Sequence, residues 1–155
     1  MPFMDYLNLA MNSAKDMVAK YGPAVLSPEK RFGKACVTAC ALVTMADGEA
    51  EDSELDMSAD FMAGIPEITE YLGAEEANEI FAMQISALQE NYAKNKAMFT
   101  MEVNRMLAEM KTGVESAEWK GSVNAIAEAM GSANGNGTAG DDEVAMIAKI
   151  STAMG

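Results

Sequence analysis

An all-α fold is what this sequence predicts, and three observations carry the prediction. Apolar residues recur at spacings of three and four along most of the chain, and no run alternates apolar and polar with period two over a useful length. Glycine, proline and Ser-Pro steps fall where the helical pattern lapses. One motif also occurs twice. Asp47-Gly48 is followed six residues after the glycine by Glu54, and Asn136-Gly137 is followed at the same distance by Glu143, so 89 residues separate the copies (47 to 136, 54 to 143). A duplicated, glycine-centred loop bearing carboxylates in an acidic helical chain points to cation binding.

The elements follow in order. Leu7, Ala10, Met11, Ala14 and Met17-Val18 predict one amphipathic helix over 3–20, closed by Gly22-Pro23. Ser27-Pro28-Glu29 opens the next helix, with serine as cap, proline in the first turn and an acid near the positive end of the dipole. That helix is expected to run to about Met45, and it is apolar around so much of its girth that it should be the central, buried element. A short helix over 52–63 ends at Gly64, Pro66 starts a brief one to Tyr71, and Gly73 breaks it. Helices over about 74–93 and 95–111 meet at a joint near Asn91–Asn95. Ser116-Ala117-Glu118-Trp119 opens a helix expected to end near Met130–Gly131, ahead of a Gly/Asn/Ser-rich stretch through Gly140. Asp141-Asp142-Glu143 opens the last helix, where negative charge is favoured.

Composition narrows the function. With 155 residues and half of them apolar, the chain suits a single domain over 1–155. A formal charge of -13 repels phosphate backbones and anionic membranes, so nucleic acid is not an expected partner, whereas cations and basic protein surfaces are. Lys15, Lys20, Lys30, Arg31 and Lys34 give the N-terminal fifth a mild basic bias. The chain has no histidine, which removes imidazole bases, catalytic triads and most zinc chemistry. Cys36 and Cys40 lie one helical turn apart, a poor spacing for a disulfide within a helix, and read as reduced thiols packed in the core. The opening residues lack the pattern of a secretory signal, and no apolar run reaches the roughly 20 residues that span a bilayer; the expectation is a soluble, cytoplasmic chain with no direct membrane insertion. Fifteen methionines spread through the helices read as core filling rather than a soft-metal site. No nucleophile–base pair is visible, so the chain is not expected to be an enzyme.

The repeat reaches beyond the loops. At the same offset Val37 matches Ile126, Cys40 matches Ala129 and Ala41 matches Met130, all apolar. Two helix–loop–helix units of this kind can pair with their loops on one side, making a shared acidic surface. The competing explanation is that Asx-Gly is a good helix stop and that the acids behind it are dipole partners. An EF-hand fits only in part. The second loop offers Ser132, Asn134, Asn136, Gly137 and Glu143 at the required positions, but the first places Val43 and Met45 where oxygen ligands belong.

The segment from Cys36 through Asp47-Gly48 to Glu54 resembles the core motif of the tellurite-resistance protein TerB family, a small-residue helix leading into Asp-Gly, an acidic turn and a Glu seven residues after the Asp. The resemblance covers nearly the whole chain. The start Met1-Pro2-Phe3-Met4-Asp5, the segment Asp60-Phe61-Met62-Ala63-Gly64-Ile65-Pro66-Glu67-Ile68 and the helix start Gly73-Ala74-Glu75-Glu76-Ala77 are also similar to the family's. It implies a compact all-α bundle of about seven or more helices with an internal pseudo-twofold helix–loop–helix repeat. It also implies an acidic divalent-cation site, for calcium or another metal, formed by both halves.

Asp47 and Glu54 match the first motif and Glu143 the second, while Asn136 stands where an Asp is usual, removing a charge that Asp141 and Asp142 are placed to replace. The function implied is that of a non-catalytic adaptor in tellurite resistance and stress response. Its implied partners are a membrane protein of the TerC type and proteins of the TerD type, which would hold it at the periphery of the inner membrane. The alternative is a structural or assembly protein, phage or mobile-element encoded, that keeps the bundle with a decayed metal site.

Overall fold

A computed structural model describes residues 3–12, 14–134 and 140–155 of the chain. Among the described residues it is helical, without strands: α1 (Phe3–Asn12), α2 (Ala14–Lys20), α3 (Pro28–Thr44), α4 (Asp52–Ala63), α5 (Pro66–Tyr71), α6 (Ala74–Lys94), α7 (Lys96–Gly113), α8 (Ala117–Asn134) and α9 (Asp141–Met154).

Helix α3 is the axis of the molecule. Ser27 caps it, its Oγ accepting the Lys30 amide at 3.2 Å, and Pro28 occupies the first turn where no intrahelical donor is needed. Every residue from Phe32 to Met45 is buried, and α4 to α9 all pack against it. The small residues of this helix let those neighbours come close. A Cβ on Gly33 would sit 2.8 Å from Leu72 Cγ, so the α5 side admits nothing larger than glycine there. Its larger side chains anchor the other faces. Phe32 stacks on Trp119 of α8, with ring centroids 4.7 Å apart, and meets the Tyr71 ring edge-on.

Polar groups on α3 are paired within the core. Thr38 donates to the Lys34 carbonyl and accepts from Gln84 Nε2 at 2.6 Å, and the Thr44 and Ser58 hydroxyls meet at 2.9 Å. The sequence reading placed Lys34 in the basic bias of the N-terminal fifth. In the structure it is only 7% exposed, its ammonium donating to the Tyr21 carbonyl and paired with Glu109 of α7. A lysine on an apolar helix reads as a surface charge because its partner comes from a distant helix.

Cys36 and Cys40 are free and fully buried, and burial pushes both thiols well above their ordinary pKa. Neither is expected to react with Ellman's reagent in the native protein, and both should react once guanidinium unfolds it. Rapid native labelling would show that α3 opens locally.

Most predicted boundaries hold, because local chemistry decides them: α4 ends at Gly64, α5 begins at Pro66, Gly73 precedes α6 with φ 84°, and Asn95 caps α7. The helix expected over 3–20 is helical wherever it is described, as α1 and α2 on either side of residue 13, which lies outside the described residues. Two readings change. Helix α8 continues past Met130–Gly131 to Asn134, because both residues are buried in the packing and the turn carries on behind them. That extension removes the EF-hand: Ser132 and Asn134 are helical, so they cannot belong to a coordinating loop.

The two halves begin their helices in register. Pro28 opens α3 and Ala117 opens α8, while Asp52 opens α4 and Asp141 opens α9, each pair separated by the offset of the sequence repeat (28 to 117, 52 to 141). α3 packs on α8, and each of them packs on both α4 and α9.

A candidate cation cleft

The first loop is built from its backbone outward. The Met45 amide closes α3 by bonding the Ala41 carbonyl, and the Gly48 amide returns to the Met45 carbonyl at 2.8 Å. Gly48 turns with φ 89°, a conformation that disfavours a side chain. Space forbids one too: a Cβ would lie 2.1 Å from Cε2 of Tyr92, whose ring lies against the glycine and meets Phe99 edge-on. The Asp47 carboxylate accepts the Glu49 amide at 3.0 Å, an Asx turn that fixes its direction.

Helices α4 and α9 then open in the same way. Glu54 accepts the Glu51 amide at 3.3 Å, and Glu143 accepts the Gly140 amide at 3.2 Å. Each glutamate is the third residue of its helix and reaches back to the cap, satisfying a donor left over at the helix start. The explanation of these acids as helix-start partners is therefore correct as far as one oxygen of each goes.

These groups share a space. Val43, Thr44, Ala46, Asp47 and Glu54 from the first half line a cleft of about 190 Å³ together with Gly140, Asp141, Asp142 and Glu143 from the second. Five of the six residues expected from the sequence are thus brought together; the sixth, Asn136, lies outside the described residues. Asp47, Asp141 and Asp142 are exposed at the rim, while Glu54 and Glu143 are half-buried.

Glu143 is the unusual member. Its Oε1 takes the capping bond, but its Oε2 is closed off from solvent and, among the described residues, has no hydrogen-bond partner. A buried acceptor left in that state costs on the order of 1–3 kcal/mol, more if charged. The donor set is all hard oxygen, which fits calcium, magnesium or manganese and excludes soft-metal chemistry at this place. The fit is to an open site: among the described residues no three acidic or cysteine side chains already converge as a metal cage.

Sequence reasoning missed Thr44, whose position at the end of α3 puts it in the cleft wall, and Tyr92, which holds the first loop from outside. The exposed acids were the legible part. Among the described residues, no helix is long and apolar enough to cross a membrane. No family model, no curated protein and no solved structure matches the chain.

Proposed function

We propose that the chain is a non-catalytic, cation-binding adaptor, an acidic helical protein whose two halves hold one divalent ion between their loops. More particularly, we read it as a TerB-like protein of tellurite-resistance and stress systems. It would be cytoplasmic and act through protein partners, a TerC-type membrane protein and TerD-type proteins among them. One observation carries the reading: carboxylates that match at an offset of 89 residues line one cleft, and one of their oxygens is enclosed without a partner among the described residues.

The chain's own residues supply the binding. Asp47 is aimed by its Asx turn, and Glu54 and Glu143 are each steadied by a cap amide that engages one oxygen. Asp141 and Asp142 add charge where the loop carries Asn136 in place of an acid. A divalent ion would relieve both the unpartnered Oε2 of Glu143 and the mutual repulsion of the rim. An ion held only when both halves are in place would also make the acidic face a metal-dependent docking surface for basic proteins.

Calcium titration followed by amide chemical shifts tests this. Saturable shifts are expected at 44–54 and 140–146, and the isosteric changes Asp47→Asn and Glu143→Gln should abolish them. Calcium at a hundred times its Kd should add about 2.7 kcal/mol and raise the melting temperature by about 5–10 °C. No response at millimolar calcium, magnesium or manganese would sink the metal reading and leave the assembly protein with a decayed site.

A further inference from the structure

Beside the cleft runs a larger groove with different chemistry. Helix α7 presents Lys96, Phe99, Thr100 and Val103 to it, and α9 presents Asp142, Ala145, Met146 and Lys149; both sets are spaced i, i+3, i+4, i+7, one face of each helix. Tyr92 and the first loop also border it. The space is about 590 Å³, the size of a small-molecule site. Phe99, Val103 and Met146 are buried core residues that form an apolar floor.

The lysines set the specificity. Most cations in the described chain have acidic partners, among them Lys20, Lys30, Arg31, Lys34, Lys94 and Arg105. Lys96 and Lys149 are exposed and, among the described residues, have no hydrogen-bond or ion-pair partner. Lys96 moreover opens α7, the end of a helix at which a cation is disfavoured, and α7 has no acid in its first turn to compensate. In a chain of net charge -13, a groove lined by Lys96 and Lys149 against Asp47 and Asp142 is locally neutral, with both cations unpaired among the described residues.

Asp47 and Asp142 lie at the end of the groove that adjoins the cleft. Lys149 stands two helical turns from Asp142, about 10 Å along the axis, which is about one Debye length at 0.1 M salt. The groove therefore has an acidic end against the cleft and a basic position well removed from it.

We propose that the α7–α9 groove binds a small organic anion with an apolar body, the body lying on Phe99, Val103 and Met146 and the anionic group meeting Lys96 and Lys149. The groove adjoins the cation cleft and shares Ala46, Asp47 and Asp142 with it, but neither lysine lines the cleft.

Anilinonaphthalene sulfonate is a suitable probe, titrated by fluorescence against the full chain with chelator present, so that failure here says nothing about the cation. Saturable binding is expected, weakening with added salt. Lys96→Ala/Lys149→Ala should weaken it about tenfold. The uncharged N-phenylnaphthylamine should bind both proteins alike. Ala145→Trp, at an exposed wall position, should lose both probes, and Thr100→Trp on the facing wall repeats that test if the first variant folds poorly. Unchanged sulfonate affinity in the double lysine variant, retention of probe in a folded tryptophan variant, or no saturable binding at millimolar probe would each overturn the proposal.

Discussion

Replacing Glu109 with leucine is expected to destabilise the protein by about 3–5 kcal/mol, read as a lower denaturant midpoint at unchanged slope. The loss does not come from the glutamate itself, which keeps partial exposure, but from Lys34, whose side chain is 8% exposed and which would retain only the Tyr21 carbonyl as a partner. An ammonium enclosed by α3 and α7 without its counter-charge cannot recover its hydration. Lys34→Met together with Glu109→Leu should return most of the stability, because neither charge then needs a partner; the residual cost is the Tyr21 carbonyl, about 1 kcal/mol. A double variant as unstable as the single one would refute the buried charge as the cause. The Lys94–Glu90 pair is the control: both side chains are more than half exposed, and Glu90→Ala should change stability by no more than about 0.5 kcal/mol.

Gly48→Val should cost about 2–3 kcal/mol, the sum of a left-handed backbone strain and the loss of the Tyr92 ring from its place. Tyr92 is 38% exposed and is able to swing away, so the variant is expected to fold, but its ring would leave the Phe99 edge contact. Asp47 sits on the preceding residue, and its direction depends on that turn. The same variant should therefore lose the calcium-induced shifts at 44–54. Tyr92→Ala separates the two contributions: adding it to Gly48→Val removes the steric clash and leaves the backbone strain. If Gly48→Val were as stable as the parent, the φ of 89° and the ring's position would both be wrong.

How much of this was legible depends on the range over which each feature is decided. Ser27-Pro28, Gly64, Pro66 and Gly73 mark helix ends through chemistry within a turn or two, and the structure places those ends there. The acids of the cleft were legible for the same reason, since Glu54 and Glu143 answer to their own helix starts. Gly131 misled because a glycine stops a helix only where the flanking backbone is free to turn, and here burial keeps it in α8. Lys34, Tyr92 and the two groove lysines take their meaning from neighbours that only tertiary packing supplies. The helix starts at 28/117 and 52/141 share the 89-residue offset of the Asx-Gly motif, which alone pointed only to the loops.

The enclosure of α3 has a consequence for the birth of the chain. Helices α4 to α7 follow it directly and cover part of its surface, but α8, which carries the Trp119 ring that stacks on Phe32, begins 89 residues after α3 does (28 to 117). At translation speeds of about 5–20 residues per second, the interval between the two helices is on the order of ten seconds. For that time the helix that ends most deeply buried stands open on one side. The nascent chain must stay clear of other nascent chains before α8 and α9 close over α3, and its strong negative charge, by mutual repulsion, is suited to keeping the copies apart.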